Sequence, residues 1–189
     1  RVVSGANGVA GELGHTVVDT IEPDDAPCYC GKPGCVEQRT SFLALEQNIR
    51  AALDRGVSSL LRADYQPGHP LSVQQIRAAL NQGDRLCRYY VSLMTQRLGV
   101  AIANAVNLLN PELVVLYGFM VELGDFFLER LETAIRENTL VLSNQFEIRV
   151  SRTLERILPL GAIGELFFSY LKINEYQWIY DLQASELDM

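Results

Sequence analysis

The chain has 189 residues, 48% of them hydrophobic and 21% charged, which is ordinary globular composition. Its formal net charge of −7 excludes a basic nucleic-acid footprint within this stretch. With no apolar run of membrane-spanning length and no signal-peptide pattern, no membrane insertion and a cytoplasmic location are expected.

Arg1 enters directly into Val2-Val3-Ser4-Gly5, a start in mid-pattern that implies a piece of a longer protein. Residues 1–41 are rich in glycine. Gly5, Gly8, Gly11 and Gly14 recur every third residue, too briefly for a collagen-like repeat, and fit an irregular loop packed closely against something. His15-Thr-Val-Val-Asp19 reads as a short strand.

Cys28, Cys30 and Cys35 then crowd into eight residues, although the chain holds only four cysteines. A disulfide framework would spread them out, so this clustering fits a reducing compartment. Cys28-Tyr29-Cys30 followed by Gly31-Lys32-Pro33-Gly34 bends the backbone back until three sulfurs converge. Zinc takes about four such ligands in a tetrahedron, and His15 is the expected fourth. The bland alternatives are metal-free thiols and a core histidine.

Residues 42–110 carry a helical signal that begins near residue 36. Leu43, Leu45, Ile49, Ala52 and Leu53 form one apolar face. Tyr65–Pro70 is a loop holding an exposed His69. Ser72 and Gln75 make a capping box that opens a helix through Leu80. Asp84 caps a longer helix that runs past Tyr89, Leu93, Leu98, Ile102 and Val106 to Asn110-Pro111. Cys87 on that helix reads as a small buried hydrophobe.

Residues 111–175 alternate strand and helix. Leu113–Tyr117 is a buried strand candidate, Asp125 to Asn138 an amphipathic helix, Phe146–Val150 a second strand, and Leu160–Ile173 a closing helix. This order implies parallel pairing with right-handed crossovers. The tail, 176–189, carries Tyr176, Trp178, Tyr180 and several acids.

Two motifs carry a resemblance. Gly5-Ala-Asn-Gly-Val-Ala-Gly-Glu12-Leu-Gly-His15 and Cys28-x-Cys30-Gly-x-x-Gly-Cys35-x-Glu37 resemble the signature of the ROK family of bacterial sugar-responsive repressors and sugar kinases. The segment around Asn110-Pro111-Glu112-Leu113, and Gly161-Ala-Ile-Gly164 within the closing helix, are similar to that family's C-terminal half. The resemblance implies an α/β fold, one C-terminal lobe of the actin-like, ribonuclease H-like ATPase architecture, with a helical segment and a zinc-binding loop. It implies a structural zinc on His15, Cys28, Cys30 and Cys35. It also implies that Glu12, His15 and Glu37 bind sugar hydroxyls, whereas the plain reading of either glutamate is a solvated acid. The loop Ile21–Pro27 looks longer than in many members.

Kinase members tend to carry a Gly-Gly pair after the strand equivalent to Leu113–Tyr117. Tyr117-Gly118-Phe119-Met120 departs from that pattern and would crowd a nucleotide, so the segment looks most like the NagC/Mlc-type regulators. The expectation is the effector-binding, oligomerising part of a transcriptional regulator that is not itself an enzyme. Its partners would be a sugar or sugar phosphate, a second copy in a homodimer or larger assembly, and DNA through an N-terminal helix-turn-helix outside this chain. The alternatives are the C-terminal half of an ATP-dependent sugar kinase acting on a hexose or N-acylhexosamine, and a zinc-stabilised module that binds a transport-system protein. The Asp84–Asn110 helix and Phe126-Phe127 are the candidates for subunit contact.

Overall fold

A computed structural model describes residues 3–19, 27–143 and 145–151, together with 161, 163, 164 and 166. Two compact units are present, Arg1–Val150 and Ser151–Met189. In the second, Gly161, Ile163, Gly164 and Leu166 are helical. Most of the loop at 21–27, the rest of the closing helix and the tail at 176–189 lie outside the described residues.

The helical half of the first unit follows its capping chemistry. Helix α1 spans Val36–Thr40 and helix α2 spans Phe42–Asp54. The single helical signal is broken at Ser41, whose extended backbone (ψ 156°) ends α1 while its hydroxyl accepts from the Ala44 N–H and starts α2. Helix α2 buries Leu45, Ile49, Ala52 and Leu53. Leu43 is 62% exposed and does not belong to that face; Phe42 packs on the core instead. Helix α3, Val73–Asn81, opens on the expected capping box of Ser72 and Gln75. Asp84 caps helix α4, Arg85–Leu109, by accepting from the Cys87 N–H at 2.8 Å. It also accepts from the Leu60 N–H and the Ser59 hydroxyl. Burial pushes the Asp84 carboxyl up, but these hydrogen bonds outweigh it and hold the group below its ordinary value. Cys87 is fully buried, as expected of a small hydrophobe.

Strand β1 is Leu113–Leu116, helix α5 is Asp125–Asn138 and strand β2 is Glu147–Val150. The strands pair in parallel, Leu113 opposite Glu147 and Leu116 opposite Val150, with α5 in the crossover. Val114, Leu116 and Ile148 pack against the core. Val115 is 47% exposed, so β1 is covered on one face only and not buried on both as expected. Helices α4 and α5 pack tightly against each other. At Gly99 an added Cβ would collide with the Ala134 methyl and lie 2.9 Å from its carbonyl carbon. Phe127 sits in the core at 1% exposure, which removes it from the candidates for subunit contact. Tyr117 and Phe119 are exposed, and nothing lies within 4 Å of a Cβ built on Gly118. Both rings thus stand at the surface on either side of Gly118, where the sequence places them.

Candidate functional site

The glycine-rich segment shapes the site. Gly8 and Gly11 have φ of +73° and +93°, conformations that L side chains rarely adopt. Nothing lies near them, so backbone geometry and not close packing explains those two glycines. Gly14 is different. A Cβ there would stand 3.1 Å from the Glu37 carboxylate, so its bare backbone admits that side chain beside the neighbouring His15.

Leu13–His15 forms one turn of 3-10 helix. The strand expected over His15–Asp19 is reduced to a single antiparallel bridge, Val17 with Cys35, beside a Val36 N–H to Thr16 carbonyl bond of 2.9 Å. A strand needs a partner, and α1 starts directly after Cys35, so the pairing ends there. Asp19 is held further by the Arg97 guanidinium of α4, at 2.8 and 2.7 Å. These ties fix His15 against the cysteine loop. That loop is closed by the Cys28 N–H on the Lys32 carbonyl and the Gly31 N–H on the Cys28 carbonyl.

His15, Cys28, Cys30 and Cys35 converge, with one ligand atom from each within 4.8 Å of the others. Cys30 Sγ and Cys35 Sγ are 3.6 Å apart, and Cys28 Sγ is 3.7 Å from His15 Nδ1. A tetrahedral zinc with bonds of about 2.3 Å to sulfur and about 2.0 Å to nitrogen has edges of about 3.5–3.8 Å. The donor set therefore fits zinc in size, charge and softness. Without a metal, burial and its sulfur neighbours push the Cys35 thiol up to about 11. The backbone N–H of Lys32 pulls the Cys30 thiol down.

With Nδ1 turned to the sulfurs, the other ring nitrogen faces outward. His15 Nε2 lies 2.9 Å from the Tyr29 hydroxyl and 3.8 Å from Glu12 Oε2. The Tyr29 ring stands edge-on to His15, with ring centroids 5.0 Å apart. Partial desolvation of the hydroxyl, and then the negative field of Glu37, Cys28 and Glu12, raise the Tyr29 hydroxyl, which keeps its proton at neutral pH. Glu12 and Glu37 are both exposed. The three residues expected from the sequence thus share one face with Tyr29, which sequence reasoning missed. Its signal was an aromatic between two cysteines, left 82% exposed.

Comparison with known proteins gives the family. A model of the ROK family matches residues 1–156. The chain belongs to the ROK family. It is 31% identical over 177 residues to the xylose repressor of Caldicellulosiruptor bescii, covering 93% of this chain and 43% of that protein. It is 34% identical over 132 residues to the glucokinase of Halalkalibacterium halodurans, covering 70% of this chain and 39% of the kinase. A solved ROK transcriptional regulator, a homologue of Escherichia coli Mlc, matches with a TM-score of 0.70 at 30% identity, over 82% of this chain and 38% of that one. The chain thus spans less than half the length of these ROK relatives. The mixed α/β fold is that of ROK structures, as the sequence implied. Among the described residues, no helix is long and apolar enough to cross a membrane.

Proposed function

We propose that this chain is the effector-binding and oligomerising part of a cytoplasmic ROK transcriptional regulator, with DNA read by an N-terminal domain of the whole protein. The observation that carries the reading is the two-sided use of His15. Nδ1 faces three cysteine sulfurs while Nε2 faces Glu12 and the outer surface. Zinc bound by His15, Cys28, Cys30 and Cys35 would supply a rigid anchor, and nothing in the binding of sugar requires more of it. With Nδ1 on the metal, Nε2 would carry the ring hydrogen, which the Tyr29 hydroxyl at 2.9 Å accepts until a sugar oxygen takes its place. Glu12 and Glu37 accept hydroxyl hydrogens, an arrangement suited to a polyol. A sugar or sugar phosphate held there shifts the regulator between conformations of different DNA affinity. Exposed Leu108, Leu109, Leu140, Val141 and Leu142, at neighbouring ends of α4 and α5, supply apolar surface for a homodimer.

The test is calorimetry on the full-length protein with a panel of sugars and sugar phosphates. Glu37→Gln should weaken the bound sugar about tenfold or more, the ~1.5–3 kcal/mol of a charge-assisted hydrogen bond, and leave zinc content unchanged. Equal affinity in the variant sinks the assignment. Binding of a transport protein with no sugar bound would favour the interaction-module alternative. A sugar kinase is the second reading, favoured by the glucokinase relative. ADP release by the full-length protein with a hexose and ATP would establish it.

A further inference from the structure

The chain carries 23 acidic and 16 basic residues, so a basic side chain should meet a carboxylate by chance alone. Arg50, Arg97, Arg136 and Arg149 pair with carboxylates, and Arg62 bonds the Val57 and Leu53 carbonyls. Among the described residues Arg55, Arg77, Arg85, Arg88 and Arg130 show no such bond, and Arg85, Arg88 and Arg130 are set apart from the other two by their position. Among the described residues none of the three has an ion-pair partner, and they share one groove. The groove measures about 510 Å³, between α4 and the start of α5, and no acidic residue lines it. Arg88 and Arg130 both lie over the Phe126 ring, at 5.2 and 5.6 Å from its centroid. Contact with one ring fixes both guanidiniums at the same groove. Arg77 adds a fourth positive charge nearby, its Nε 3.4 Å from a Cβ built on Gly124.

We propose that this groove binds a phosphate monoester with an organic group, at a site separate from the one built on His15. Three uncompensated like charges held together raise the energy of the free protein, and a dianion removes that cost. The guanidinium fork matches phosphoryl oxygens in two-point contacts. Ser92 and Gln96, one and two turns along the α4 wall from Arg88, add neutral donors. Tyr89, 62% exposed, and Leu93 give the organic part an aromatic and an apolar surface. The volume suits a small ligand. A long polyanion is disfavoured, because beyond the groove it meets a protein of net charge −7.

Calorimetry on the full-length protein in chloride buffer tests this with phenyl phosphate, inorganic phosphate and phenol. Phenyl phosphate should bind more tightly than inorganic phosphate, and phenol should not bind. The double variant Arg88→Ala, Arg130→Ala should weaken phenyl phosphate at least tenfold, whereas Arg149→Ala, on strand β2 and outside the groove, should not. Arg88→Lys with Arg130→Lys keeps the charge and the fold but loses the forks, and should weaken it several-fold. Glu37→Gln should leave it unchanged, which separates this site from the sugar site. Inorganic phosphate binding as tightly as the ester would keep the anion cradle and overturn the organic subsite. No heat with either phosphate, or equal affinity in the double variant and Arg149→Ala, would overturn the proposal.

Discussion

His15 carries more of the account than any other residue. Its ring touches the cysteine sulfur of residue 28 through one nitrogen and the Tyr29 hydroxyl through the other. The metal-ligand types and their turn residues were legible in the sequence because zinc chemistry demands them. Tyr29 was not, because its role comes from where the bend aims it and not from its type. The thiols make a prediction of their own. Zinc binds thiolates, and burial holds the Cys35 proton on up to about 11. Metal uptake at neutral pH must therefore release protons, and apparent zinc affinity should rise with pH and fall as the solution is acidified. Competition with a chelator across pH 6 to 8 would measure this. An affinity flat over that range would mean that no thiol proton is displaced.

At the level of elements, local chemistry was read well and long-range partners were not. The Ser72–Gln75 box and the Asp84 cap are local, and both are present. The His15–Asp19 segment looked like a strand because Thr16, Val17 and Val18 favour extended backbone. Its pairing depended on Cys35, twenty residues away, and lasted for one bridge. Leu43 fell outside the core because Ser41 restarts the helix and Phe42 takes the inward position. Gly99 in the middle of α4 carried a signal that went unread: an isolated glycine in a helix marks a close neighbour. Gly99→Ala should destabilise the protein by about 1–3 kcal/mol through overpacking against Ala134. On an open helix face the same change would stabilise by about 0.5–1 kcal/mol. Urea melts of the two proteins decide between the signs.

Across the whole molecule, the metal loop and the hydrophobic core are separate structures. The main core runs through α2, α3, α4, α5 and the turn before α5, and none of the four metal-site residues belongs to it. The parallel pairing of β1 and β2 followed from the strand–helix–strand order, a rule of chain handedness that sequence order reveals. Which faces stay open did not follow, because that depends on what covers the sheet. On the proposed function, zinc would organise the recognition surface while the helices hold themselves, so metal loss should abolish sugar binding and leave the helical signal in place. Zinc K-edge X-ray absorption on the purified protein tests the basis of this account most directly. We expect one zinc per chain, with three sulfurs at about 2.3 Å and one nitrogen at about 2.0 Å. A protein without stoichiometric zinc, or a zinc whose shell lacks the sulfurs or the imidazole nitrogen, would contradict it.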